Sequence, residues 1–272
     1  MSLVAACNDT ECRPCGDGTA YLLDGYAFAT SVETNGDQIL LDGFDLDGID
    51  AKPGDPAGCR FGDATAPDGR TGIDNQLGYL TALFDYESLR VVPGAFAETV
   101  SNGTGLIVIE ATSGTPDAPG GGKLYAWSLS DPALATGLPL TDASISLGGA
   151  DLAAIADTNS LSPGGHVIWG PYEATFRFRV GDIWTGLTFE RAHLRLEPSA
   201  DGTRLNGYFG GLVSLPVAHR FLVDIQPNNP NISSALDTLL PLLADTRSAP
   251  DADCDRISVG FGVTYRRVHL TD

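Results

Sequence analysis

The segment Asp42 to Asn75, DGFDLDGIDAKPGDPAGCRFGDATAPDGRTGIDN, limits what this chain can fold into more than any other stretch. It holds eight aspartates (Asp42, Asp45, Asp47, Asp50, Asp55, Asp63, Asp68 and Asp74) and no glutamate. Glycine and proline are interleaved throughout, and Cys59 sits in the middle. Aspartate carries its oxygens close to the backbone, and glycine lets the chain turn so that several of them converge. Calcium takes six to eight hard oxygens from carboxylates, carbonyls and water. Carboxylates packed this densely repel one another and call for a counter-charge. The segment therefore reads as a structural calcium loop with Asp45, Asp47 and Asp50 as ligands, helped by Asp63, Asp68 or Asp74. The plain alternative is a solvated acidic loop.

Asp45-x-Asp47-Gly48-x-Asp50 has the look of a calcium turn. It departs from an EF-hand loop, because its glycine falls early and no glutamate follows at the twelfth position. It more closely resembles the Asp-rich loops of thrombospondin type-3 and similar extracellular calcium repeats.

The rest of the chain reads as strands and turns. Among 272 residues, Gly and Pro together number 50 (33 and 17), and only 19% are charged. Such a composition favours an all-β protein, β-sandwich or jelly-roll-like and mostly antiparallel, with a few short helices. Strands are expected at 20–32, 38–41, 105–111, 123–129, 143–147, 151–155, 166–169, 174–180, 183–189, 192–196, 204–213 and 256–269. Ser199-Ala200-Asp201-Gly202 suits a hairpin turn. Helices are expected at 75–89 with Asp74 as N-cap, at 216–225, and at 232–244 with Leu236, Leu239, Leu240 and Leu243 as its buried stripe. No βαβ alternation occurs, which disfavours a parallel sheet. Residues 1–19 read as a tether and 20–272 as one β-rich domain. A split near residue 135 stays open.

The five cysteines divide in two ways. Val4-Ala5-Ala6-Cys7 resembles the end of a bacterial lipobox, in which the cysteine is lipidated; the plain alternative is chance. No charged and apolar signal region precedes it, so Met1-Ser2-Leu3 reads as the start of a trimmed precursor. Cys12, Cys15, Cys59 and Cys254 remain, and four cysteines allow three pairings. Cys59 and Cys254 both lie in acidic loops, each just ahead of regular structure. That suits a bridge between them, with Cys12 and Cys15 pairing locally. Disulfides imply an oxidising, extracytoplasmic compartment.

A net charge of −19 argues against nucleic acid and against adsorption on an anionic membrane. No stretch reaches the roughly 18 apolar residues of a membrane span, so any membrane attachment is through lipid. The expected location is the periplasm or outer-membrane surface of a Gram-negative-type bacterium.

Gly72-Ile73-Asp74-Asn75-Gln76-Leu77-Gly78 and Cys254-Asp255-Arg256-Ile257-Ser258-Val259-Gly260 together resemble an uncharacterised group of bacterial lipoproteins. The resemblance implies a surface or periplasmic lipoprotein and carries no activity with it.

No zinc, phosphate or nucleophile-elbow motif occurs. Trp169, Tyr172, Trp184 and Tyr208 are candidate ligand-binding aromatics, with core packing as the alternative. The unusual Gly207-Tyr208-Phe209-Gly210-Gly211 suggests close backbone approach. A carboxylate-pair hydrolase would draw on Glu98, Glu110, Glu173, Glu190 or Glu197. The leading expectation is a calcium-stabilised binding or surface-structural protein whose ligand is a glycan, lipid or protein. The alternatives are a glycan-acting hydrolase and a carrier with an apolar pocket.

Overall fold

The computed structural model describes residues 19–28, 33–35, 38–78, 106–111, 120–127, 144–146, 153–161, 167–180, 183–249 and 251–271. Eight strands form one path: β1 (Thr19–Phe28), β4 (Leu106–Ala111), β5 (Gly120–Trp127), β7 (Ala153–Leu161), β8 (Val167–Val180), β9 (Ile183–Pro198), β10 (Arg204–Ser214) and β12 (Cys254–Thr271). Their order is β7-β5-β4-β1-β12-β10-β9-β8, and every neighbour in it is antiparallel. Two short strands join β12 off the path, β6 (Ser144–Ser146) in parallel and β11 (Thr246–Arg247) antiparallel. A separate ribbon pairs β2 (Glu33–Asn35) with β3 (Gln38–Leu40). The all-β, mostly antiparallel expectation holds. The single path draws on strands from both sides of residue 135.

Period-two patterning decides which face turns inward. On β12, Ile257, Val259, Phe261, Val263 and Tyr265 are all buried. They join Tyr21 and Leu23 of β1, Ile109 of β4, Phe176 of β8, Phe189 of β9 and Phe209 of β10 in one cluster. One face of the sheet thus carries a continuous apolar layer. Phe189 meets Phe209 edge-on at 4.9 Å and Phe261 at 6.2 Å, so aromatic rings fill this interior.

Two expected strand pairs prove to be single long strands. β8 continues through Gly170-Pro171 with register shifts around Tyr172. β9 continues through Arg191, which adopts φ 48° beside a shift in its pairing with β10. In both cases a bulge absorbs what the sequence pattern presents as a break.

Helices α1 (Leu215–Asp224) and α2 (Ile232–Leu243) lie within a residue of expectation and add Phe221, Leu236 and Leu240 to the core. The buried stripe of α2 is narrower than expected, since Leu239 is 48% exposed. Three residues turn a helix through about 300°, which swings Leu239 some 60° away from Leu236. No helix among the described residues is long and apolar enough to cross a membrane.

Candidate metal centre

The 42–75 loop is a folded element with its own small core. Leu41, Ala51, Ala66 and Ile73 are almost wholly buried. Backbone bonds knit it: Asp74 N–H to the Phe44 carbonyl (2.8 Å), and Ala64 and Ile73 each donating to the other's carbonyl (3.0 Å). It packs on the outer face of the sheet. There Gly210 and Gly260 stand opposite one another across β10 and β12. A Cβ at Gly210 would lie 2.7 Å from Phe44 Cδ2, and one at Gly260 would lie 2.5 Å from Asn75 Nδ2. The paired glycines form a notch that seats Phe44 and Asn75. The close approach expected within Gly207–Gly211 is thus made, at Gly210, by the loop.

The far side of the loop is stapled by Cys59–Cys254, with Cα atoms 5.9 Å apart at a sequence separation of 195. This is the expected bridge. Cys7, Cys12 and Cys15 lie outside the described residues.

Three carboxylates converge here. Asp45, Asp47 and Asp74 each offer an oxygen within 4.8 Å of the other two, a group that could hold a metal ion. Local turns aim the first two: Asp45 Oδ1 accepts from Gly48 N–H (2.6 Å), and Asp47 Oδ1 from Ile49 N–H (2.9 Å). Asp74 arrives from the other strand of the loop, where its Oδ2 accepts from Leu46 N–H (2.6 Å) and Asp47 N–H (3.2 Å). Gly72 leaves room beside Asp45. At φ +71° its Cβ would stand 2.9 Å from the Ile49 carbonyl oxygen and 3.5 Å from Asp45 Oδ2.

Charge crowding follows from this geometry. Burial, reinforced by Asp47, pushes Asp74 up to about 9. Burial also raises Asp63 to about 6, with Asp47, Asp50 and Asp45 adding to it against the bond from Ala51 N–H. Asp47 is raised mainly by burial too. The donor set is all hard oxygen, which suits an alkaline-earth cation over a thiophilic metal.

The other expected ligands have different partners. Asp50 is exposed and paired with Lys52 at 3.2 Å. Asp63 spends one oxygen on Ala51 N–H at 2.6 Å, beside the trio but outside it. Asp68 is bound by Arg195 of β9 and by Arg70, each at 2.9 Å. The Arg195 bond, with help from Arg70, holds it near 2. Asp74 is not the N-cap expected for the following helix. Asn75 is: its Oδ1 accepts from Gly78 N–H at 2.9 Å, at the start of the helix over 76–78.

Two of the candidate aromatics sit far apart along the β8–β9 ribbon. Trp169 pairs with Leu194 and Trp184 with Arg179. Leu194 lies ten residues from Trp184 along β9, on the order of 33 Å. Tyr172 is largely buried, which raises its hydroxyl, and that hydroxyl has no hydrogen-bond partner among the described residues. Tyr208 is half-buried on the outer face, against Phe44, Leu46 and Leu212. Of the candidate carboxylates, Glu190 pairs with Arg256 (2.9 Å) and Glu197 with Arg195 (3.6 Å). Glu98 lies outside the described residues.

A second acidic group escaped sequence reading. Asp245 is buried beneath the loop, and desolvation raises it to about 7. Ser258 donates to it from both N–H (2.8 Å) and Oγ–H, and Ser258 Oγ accepts from Gln76 N–H (2.8 Å). No family model, curated protein or solved structure matches this chain.

Proposed function

We propose that this chain is an extracytoplasmic, lipid-anchored β-rich protein that binds a ligand or builds surface structure, with structural calcium in its 42–75 loop. The observation that carries the reading is the convergence of Asp45, Asp47 and Asp74 within 4.8 Å. Calcium fits better than magnesium, because it accepts irregular sets of carboxylates, carbonyls and waters while magnesium demands a near-ideal octahedron. A divalent ion would offset the burial, and the added repulsion from Asp47, that together raise Asp74. It would also lock together two parts of the loop that are 27 residues apart, Asp47 and Asp74.

The disulfide supports an oxidising compartment, the periplasm or outer-membrane surface of a Gram-negative-type bacterium. The lipid anchor rests on Val4-Ala5-Ala6-Cys7. In this reading the loop is a rigid cap, and recognition belongs to the sheet face beside it. Calorimetric titration of chelator-stripped protein with calcium tests the proposal. The expected result is a saturable site that Asp74→Asn abolishes. A protein that takes up no calcium would overturn it. Incorporation of a labelled fatty acid, lost in Cys7→Ser, tests the anchor separately.

A further inference from the structure

Beside the loop, a groove of about 420 Å³ crosses β1, β12, β10 and β9 on the outer face. Small-molecule sites commonly span about 300–1,000 Å³. Gly25 and Gly262 leave its floor as bare backbone, and Tyr208, Asn206, Glu197 and Thr264 line it. A Cβ at Gly25 would meet only Thr264 Cβ, at 3.9 Å, so the missing side chain is what opens this end.

Among the described residues, the charges around the groove are already paired. Glu197 faces Arg195 at 3.6 Å, and Arg195 also holds Asp68 at 2.9 Å. Arg204 and Arg266 both face Asp24 at 3.8 Å. An anionic ligand would have to break one of these pairs. The lining instead offers an amide, a hydroxyl, a carboxylate and a phenol over a flat glycine floor. Burial and the bond to Asp42 raise Tyr208 to about 12, so its hydroxyl stays neutral. A neutral sugar has matching features: an apolar ring face and a fringe of hydroxyls that both donate and accept.

We propose that this groove binds a neutral carbohydrate, with a sugar ring against Tyr208 and its hydroxyls bonded to Asn206, Glu197 and Thr264. The proposal rests on the reading of the protein as a binding module and names its ligand class. It also links the groove to the loop. Tyr208 packs against Phe44 and Leu46 of the loop, and the Asp42 carbonyl accepts from Asn75 Nδ2 at 3.0 Å. The wall of the groove is thereby set by the element that carries the metal centre.

The test is calorimetric titration of the full, disulfide-intact, calcium-loaded chain with cellohexaose, xylohexaose, mannohexaose and chitohexaose. Hexagalacturonate serves as the anionic comparison. At least one neutral hexasaccharide should bind, about tenfold or more tighter than hexagalacturonate. Gly25→Leu, which fills the floor, and Asn206→Ala, an exposed change, should each weaken binding about tenfold with the melting temperature nearly unchanged. If Gly25→Leu misfolds, Asn206→Ala decides. Failure of every neutral sugar, equal or tighter binding of the anion, or binding unaffected by these variants would overturn the proposal. Calcium uptake without sugar binding overturns the groove assignment alone. Sugar binding without calcium uptake overturns the metal reading alone.

Discussion

Asn75 accepts the backbone N–H of Gly260 at 2.9 Å, although 185 residues separate the two. The same Oδ1 caps the helix at Gly78, and Nδ2 donates to the Asp42 carbonyl. One buried amide thus ties together the loop, the helix start and the central strand. Asn75→Ala should cost roughly 2–4 kcal/mol, from a lost cap and a buried N–H left without a partner. Urea unfolding measures this directly, and a cost under about 0.5 kcal/mol, the range of ordinary surface changes, would contradict it.

The glycine notch makes a graded prediction. Alanine at Gly260 would collide with Asn75, which three hydrogen bonds hold in place. Alanine at Gly210 would meet the rim of the Phe44 ring, which can tilt. Both should destabilise, in the range of about 1–3 kcal/mol for overpacking, with Gly260→Ala the more severe. Thermal melts of the two variants test the order.

Cys59–Cys254 closes a span of 195 residues. Chain-entropy models put such a bridge at about 5 kcal/mol, as an upper estimate. Cys59→Ser with Cys254→Ser should lower stability by a large part of that and loosen the outer end of the loop. Urea unfolding of the double variant gives the energy. Non-reducing peptide mapping confirms the partners, and a Cys59 peptide linked elsewhere would refute the pairing.

The raised carboxylates predict a pH dependence with a definite sign. Asp63 and Asp74 are pushed up to about 6 and about 9. Ordinary aspartate titrates near 4, so the metal-free fold favours their protonated forms. Their contribution to stability is complete below about pH 4 and is lost as pH rises through those two values. Asp68, held near 2, titrates below this window. Metal binding requires ionised carboxylates and releases protons. Between about pH 5 and pH 9, calcium affinity should therefore rise while the melting temperature of chelated protein falls. A chelated protein that melts higher at pH 8 than at pH 5 would contradict this.

Sequence pattern disclosed the features whose cause is local. Alternating apolar residues announce β12, and Ser199–Gly202 announces its hairpin turn, closed by Gly202 N–H to the Ser199 carbonyl at 2.9 Å. Asp45 and Asp47 share a turn, so their convergence follows from spacing. Other features depend on partners far along the chain. Asp68 looks like any other loop aspartate until Arg195, 127 residues away, claims it. Gly210 reads as a bulge or ligand contact until Phe44 fills it. Asn75 and Asp74 are both good N-caps, and only the burial of Asp74 against Leu46 and Asp47 decides between them. The register shifts in β8 and β9 are invisible because Gly-Pro and a polar Glu-Arg pair look the same at a bulge as at a strand end.

If calcium completes the Asp45–Asp47–Asp74 cluster, thermal melting registers it. Wild-type protein should melt higher in calcium than in excess chelator, by the equivalent of about 2.7 kcal/mol at a hundredfold excess over Kd. Asp74→Asn keeps an acceptor for the Leu46 and Asp47 amides while removing the carboxylate that would hold the ion, so its melting temperature should not respond to calcium. Identical melting of the wild type in calcium and in chelator would contradict the account.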